Sequence, residues 1–436
     1  MTRKPYDLSL CRQQFPALDL KVNGHKAIFL DGPGGTQVPR RVVERMEKYL
    51  FFENANLHGP FLTSLATDKA LDAGREAMAD MLGCRPEEIA FGQNMTTLNF
   101  SLSRALAKQL KPGDEIVITD LDHEGNRGPW LALEDLGFTV QSALVDPETL
   151  TLDMDDLRSK ITQKTRIVAV SGASNATGTI SDVKHIAGWA REVGAYCIVD
   201  GVHLVPHRAV DLKDLGCDFL LCSAYKFFGP HVGVLYGRYE AFEKLDTFKL
   251  IPQSDEVPWR METGTLNFEG IAGLVEAVEF IADIGRSWHK AKGDQRQAEG
   301  DWPQTEGPGR QAEGNRRRAI LAGMEAIDEH EQALAARLLE GLRDIDGLKA
   351  YGPPTGHPRT PTISFTLEGR TAGSIAQSLA ERGIFAWAGD FYATTLVQKL
   401  GLNRTGGLLR MGLAPYNTAE EVARVVEVMR EIAEEC

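Results

Sequence analysis

The chain has 436 residues, 43% of them hydrophobic and 25% charged, with a formal net charge of −13. That length buries a large core and divides into more than one domain. The acidic balance argues against nucleic acid or an anionic membrane surface as a partner, and no apolar run approaches the ~20 residues of a membrane span. Met1-Thr-Arg-Lys-Pro-Tyr-Asp lacks the apolar core of a signal peptide. Six scattered cysteines read as reduced core residues, so the expectation is a cytoplasmic protein without a disulfide framework.

Residues 1–25 read as a polar arm with a short helix over Leu8–Phe15. A strand over Lys26–Leu30 runs into Asp31-Gly-Pro-Gly-Gly-Thr36, whose glycines allow close backbone approach to a ligand. It lacks the lysine and the glycine spacing of a nucleotide loop, and a plain turn into a helix at Arg40–Phe52 is an equally good reading. Helical spacing returns over Leu65–Leu82. Phe91-Gly-Gln-Asn-Met-Thr-Thr97 then opens another helix, a place where backbone N–H groups either are capped or face an anion.

The strand Glu115–Thr119 ends in Asp120-Leu-Asp-His-Glu-Gly-Asn-Arg-Gly-Pro-Trp130. Strands over Phe138–Val145 and Arg166–Ser171 follow, with helices near Leu157–Ile161 and over Val183–Val193, and Ser174-Asn-Ala-Thr-Gly178 sits at a strand end. Such alternation implies a mostly parallel sheet with helices on both faces, an α/β fold. Two apolar runs, Tyr196–Val199 and Phe219–Cys222, are too short for helices and rich in strand formers. The first delivers Asp200 and His203 at its C-terminal end, the second Ser223, Tyr225 and Lys226. Ligands of open parallel sheets sit just outside the carboxyl ends of strands. A carboxylate on one strand end and a lysine on another are what pyridoxal 5'-phosphate (PLP) requires: the lysine forms the Schiff base and the carboxylate partners the pyridinium nitrogen.

Residues 286–318 are rich in Gly, Gln, Glu, Arg and Pro, with Arg296-Gln-Ala-Glu-Gly300 recurring as Arg310-Gln-Ala-Glu-Gly314. They read as a disordered insertion, and Arg316–Arg318 as a solvated helix start. A long helix over Ala319–Leu342 leads to a small α+β lobe with strands over Thr360–Thr366 and Leu408–Leu413, a helix over Thr371–Arg382, and a capping box at Thr418-Ala-Glu-Glu421. The expected division is an arm (1–25), a large α/β domain (26–285), the insertion (286–318) and a linking helix with the small domain (319–436).

Together these motifs resemble the fold-type I, class V aminotransferase family of PLP enzymes, which includes the cysteine desulfurases. The resemblance covers roughly residues 15–434 apart from the insertion. It implies that the Met95–Thr96 turn, Ser223 and Tyr225 bind the cofactor phosphate, that His123 stacks on the ring, and that Asp200 holds the ring nitrogen protonated. His203 stands where desulfurases have glutamine and is in reach of the phenolic oxygen. Asn175 binds that oxygen or the substrate carboxylate, and Arg410, in Leu409-Arg-Met-Gly-Leu-Ala-Pro-Tyr-Asn-Thr418, clamps the substrate α-carboxylate. Lys226 carries the cofactor and then acts as base at Cα, a role that needs a neutral amine. The segment Gly264-Thr-Leu-Asn267 matches one whose threonine, here Thr265, reaches the phosphate of a partner subunit, which implies a homodimer.

The departures narrow the reading. Where desulfurases carry a persulfide-forming cysteine, this chain has Phe385-Ala-Trp-Ala-Gly-Asp-Phe-Tyr-Ala393, with Tyr392 near the cysteine's place. A phenol does not take up sulfur as a thiolate does, so Tyr392 and Trp387 pack, shape the substrate pocket or relay a proton. Tyr225 likewise replaces a histidine. Three other constellations fail: His203 and His207 flank Pro206 with no third metal ligand, Cys217 and Cys222 lack a second pair, and no nucleophile elbow surrounds Ser223. The expected activity is Cα chemistry on a small α-amino acid, by β-elimination or amino transfer. Decarboxylation, epimerisation, or a catalytically silent PLP-fold regulator remain as alternatives.

Overall fold

The structure is a computed structural model and describes residues 6–291 and 308–435. The chain folds into two compact units. The first takes the residues up to Phe15, Gln37–Gln109 and Val205–Asp328; the second takes Pro16–Thr36, Leu110–Leu204 and Glu329–Cys436. This division cuts across the expected large domain.

In the first unit the strand Phe219–Ser223, its residues all buried, pairs antiparallel with Gly233–Gly237, which pairs antiparallel with Ile89–Gly92. Helices Arg40–Phe52, Leu62–Leu82 and Phe268–Ala291 build the rest of the core, with Tyr49, Ala70, Phe268 and Ala272 as one buried cluster. A left-handed Gly83 (φ 78°) ends the second of these helices, the conformation in which glycine has no Cβ penalty.

The second unit holds four parallel strands in the order Tyr196–Asp200, Thr165–Ser171, Glu115–Thr119, Thr139–Ala143. Most are near-continuous apolar runs, as strands covered on both faces are. A smaller antiparallel sheet follows in the order Leu348–Tyr351, Thr362–Leu367, Leu408–Gly412, Trp387–Gly389. Its core includes Phe365, Leu409, Met411 and the apolar face of the terminal helix Ala419–Glu434. Thr418 and Glu421 cap that helix reciprocally, as expected. Strand pairing is thus parallel in the four-stranded sheet that holds Asp200, as the alternation implied, and antiparallel in the small sheet and between the strand that precedes Lys226 and Gly233–Gly237.

The described ends of the expected insertion are helical, one helix running Phe268–Ala291 and the next Pro308–Arg343; residues 292–307 lie outside the described residues. The reading of Arg316 and Arg317 as a solvated helix start is corrected. Arg316 pairs with Asp80 at 2.5 Å, and Arg317 donates to the carbonyls of Asp80, Met81 and Val210. Arg317 thereby satisfies two of the last carbonyls of the Leu62–Leu82 helix, groups that have no acceptor role within their own helix.

Candidate active site

In the first unit, strand Ile89–Gly92 leads to Asn94, whose side chain accepts from Thr97 N at 2.9 Å and starts the helix Met95–Ala107. Met95 N donates to the Ser223 hydroxyl at 3.0 Å, tying that helix start to the strand end before Lys226. Gly233 on the neighbouring strand makes the approach possible: a Cβ there would lie 2.5 Å from the Asn94 carbonyl carbon. Thr96, at the second helical position, has an N–H with no acceptor in its own helix and an adjacent hydroxyl. Oriented N–H groups at a helix start suit a phosphate dianion.

Lys226 sits in a single helical turn, Ala224–Lys226, directly after its strand. The turn is shaped by Phe228 in the left-handed region (φ 71°), which brings Gly229 N back onto the Ala224 carbonyl at 2.9 Å. Tyr225 stacks on His231 with ring centroids 4.8 Å apart, and Lys226 Nζ lies 4.9 Å from the Tyr225 ring centre. Both Tyr225 and Lys226 are half-buried. Thr265 is exposed, beyond the left-handed Gly264 (φ 85°). The loop it stands on is anchored by Glu262, which is buried, pairs with Arg75 at 2.6 Å and accepts from Phe91 N at 2.9 Å.

In the second unit, Asp122 closes the turn after strand Glu115–Thr119 by accepting from Thr119 N at 3.0 Å and Ser171 N at 2.6 Å. Burial raises its carboxyl to about 6. His123 caps the helix Glu124–Leu131, its Nδ1 accepting from Gly125 N at 2.8 Å. The neutral ring therefore carries its proton on Nε2. Its ring centre lies 5.4 Å from that of Tyr392, which is 69% exposed.

Arg410 is 3% exposed and central in the small sheet, opposite Ser364 on one side and Trp387 on the other. It donates to the Asn175 carbonyl at 3.0 Å, and its guanidinium carbon lies 4.0 Å from the centre of the Phe391 ring. Asn175 Nδ2 donates to the Phe391 carbonyl at 2.9 Å, while Asn175 Oδ1 is buried without a hydrogen-bond partner. A buried acceptor of this kind is open to a donor on water or on a bound molecule. Asp200 ends its strand 5% exposed and accepts from Val202 N at 2.9 Å. His203 is buried with Nε2 against the Thr362 and Thr360 hydroxyls at 2.8 and 3.1 Å, so that edge of the ring is committed to the small sheet rather than turned to a ligand.

The second unit thus brings His123, Tyr392, Asn175 and Arg410 around one turn, and the first brings Met95, Thr96, Ser223, Tyr225 and Lys226 around one strand end. Two residues escaped sequence reasoning. Phe391, the contact of both Arg410 and Asn175, reads as a generic aromatic in sequence. Asp31 has a buried Oδ1 without a partner, and burial lifts its carboxyl to about 6 against the opposing charge of Arg410. The Asp31-Gly-Pro-Gly-Gly turn itself packs on the small sheet: Asp31 bridges to Gly412, and Gly34 lies against the Trp387 indole.

Among the described residues no group of His, Cys, Asp and Glu is placed to hold a metal ion, and no helix is long and apolar enough to cross a membrane. The class-V aminotransferase family model matches residues 28–300 and 319–425. An aminotransferase-like protein of Gibberella zeae is 32% identical over 98% of both chains. A probable cysteine desulfurase of Halalkalibacterium halodurans is 30% identical over 94% of both. The cysteine desulfurase of Thermococcus onnurineus has the same fold, with a TM-score of 0.82, 26% identity and complete coverage of both chains. The family is PLP-dependent, and this chain, an α/β protein with a small C-terminal sheet and an enzyme of that kind, belongs to the class V aminotransferases.

Proposed function

We propose that this chain binds PLP through Lys226 and acts at the Cα of a small α-amino acid, by amino transfer or β-elimination and without a persulfide relay. The observation that carries the reading is the tie between Ser223 and Met95 N, which sets a helix start beside the strand end leading to Lys226. That is the donor set a phosphate and an imine-forming amine require. PLP, when bound, supplies an electron sink for the bond broken at Cα. Thr96, Ser223 and Tyr225 hold its phosphate, with the Met95 N–H fixing the Ser223 hydroxyl. Asp200 keeps a proton on the ring nitrogen, His123 covers one ring face, and His203 supports that end of the site from the small sheet. Lys226 Nζ moves the Cα proton, and Arg410 grips the α-carboxylate, a role suited to a planar guanidinium, while the open Oδ1 of Asn175 accepts from a donor on the bound molecule.

Three of the six thiols fit the absence of a persulfide step. Burial pushes Cys11 and Cys217 up to about 12 and Cys84 well above its ordinary value, the opposite of what a sulfur nucleophile needs. Tyr392, standing in the position of the missing cysteine, faces the substrate. We further propose a cytoplasmic homodimer in which the exposed Thr265 reaches the partner's cofactor. Exposed Phe51, Phe52, Phe61 and Leu62 supply the apolar surface such a contact buries.

The test is to incubate holoenzyme with a panel of amino acids, with and without a 2-oxo acid. A pyridoxamine cofactor indicates amino transfer; pyruvate or sulfide released without an acceptor indicates elimination. A visible absorbance band absent from purified wild-type protein, or retained in Lys226→Ala, refutes the assignment.

A further inference from the structure

The turn Asp390–Ala393 carries two consecutive non-glycine residues in the left-handed region, Phe391 and Tyr392, both at φ 58°. Such backbone is costly for side chains with a Cβ and persists only where surroundings over-determine it. Here they do. Asp390 Oδ1 accepts from Tyr392 N at 3.0 Å and Asp390 Oδ2 accepts from the Thr394 hydroxyl at 2.9 Å. The Phe391 carbonyl accepts from Asn175 Nδ2, and the Tyr392 carbonyl accepts from Glu124 N at 2.7 Å. Just beyond, Lys399 pairs with the buried Asp120. Both carbonyls of the strained pair are therefore taken by a residue expected to bind cofactor or substrate, Asn175, or by the neighbour of one, Glu124 beside His123.

The ring of Phe391 is the informative part. It is only half-buried, and it lies flat enough over Arg410 for the guanidinium carbon to sit 4.0 Å from its centre. A residue serving the core alone would be buried; this one covers one face of a cation.

We propose that the Asp390–Ala393 turn is a pre-formed substrate-recognition wall, in which Phe391 is a positioning residue that fixes the plane of Arg410 for the substrate α-carboxylate. The ring restricts the guanidinium to in-plane contacts, and the Phe391 carbonyl fixes the Asn175 amide beside it. This rests on the reading of Arg410 as the carboxylate clamp and goes beyond it by naming what holds the clamp in place.

The test uses holoenzyme titrated by visible absorbance with L-alanine against ethylamine and L-cysteine against cysteamine, pairs that differ by the carboxylate. Phe391→Leu, which keeps bulk and removes the π face, is expected to weaken amino-acid binding about tenfold, the order of a cation–π contact at a partly desolvated site, and to leave amine binding unchanged. Phe391→Tyr is expected to restore it. Equal losses for acid and amine would overturn the proposal. If Arg410→Gln abolishes discrimination while Phe391→Leu does not change it, the clamp stands and the positioning role falls. If Arg410→Gln has no effect, the clamp itself is refuted. A second readout needs no substrate: the Glu124 amide of wild-type holoenzyme is expected to exchange slowly with deuterium and to lose protection at least tenfold in Asp390→Ala. Fast exchange in the wild type would show that the wall is not pre-formed.

Discussion

Glu262→Ala tests the anchoring of the Thr265 loop. In the folded protein Glu262 Oε2 pairs with Arg75 at 2.6 Å, with both side chains nearly inaccessible (1% and 6%), and Oε1 accepts from Phe91 N. Arg75 is further held over the Trp259 ring at 4.3 Å. Truncating the glutamate leaves a guanidinium buried without its counter-ion and a strand N–H without an acceptor. Breaking a buried pair from one side costs about 3–5 kcal/mol, and an orphaned buried N–H adds about 1–3 kcal/mol; the two overlap, so the expected loss is about 4 kcal/mol. Glu262→Gln keeps an acceptor for Phe91 and loses only the charge, so its expected loss is about half. The assay is equilibrium urea unfolding of both variants and of Arg75→Met/Glu262→Met, which removes both charges and should recover much of the stability. A loss below about 1 kcal/mol for Glu262→Ala, or a double variant no better than the single, would refute the claim that this pair works as a buried ion pair.

Other expectations concern the carboxylate near Arg410, the phosphate end and one helix crossing. Burial raises Asp31 from an ordinary 3.8 to about 6, so its charged form penalises the fold. That penalty is fully present above the folded value, fades as pH falls through it, and is gone below 3.8. Asp31→Asn should therefore stabilise the protein at pH 7 by up to about 3 kcal/mol and not at pH 3.5, and a pH-independent difference in urea midpoints would contradict this. Ser223→Ala removes the acceptor of Met95 N; it should cost about 1 kcal/mol of stability and weaken cofactor retention in dialysis, whereas unchanged PLP occupancy would place the phosphate elsewhere. Gly285→Ala puts a Cβ 1.9 Å from the Ala319 carbonyl oxygen, an overlap expected to cost about 3 kcal/mol by thermal or urea unfolding.

Much of this molecule was legible because its signals are local. The runs before Asp200 and Lys226 are strands within a residue of their expected ends, and Asn94 and Thr418 cap helices in the way their neighbours imply. What escaped depends on partners remote in the chain. Nothing near Arg317 announces that it will satisfy carbonyls at positions 80, 81 and 210. Asp31 looks like a turn residue until its burial near Arg410 is known. Nothing near His203 announces that its Nε2 is bound by threonines more than 150 positions away. The left-handed pair at 391 and 392 is hidden for another reason: side-chain propensity argues against it, and only the surrounding hydrogen bonds impose it.

The close crossing of the helices on either side of residues 292–307 has a consequence for how such a chain tolerates change. Gly285 meets the backbone at Ala319, and Gly323 meets the carbonyl of Ile281 so closely that a Cβ would lie 2.1 Å away. The crossing works like a staple: no side chain separates the two backbones at either point. One residue inserted inside either helix would turn its glycine about 100° off the contact and bring a β-carbon against the other helix's carbonyl.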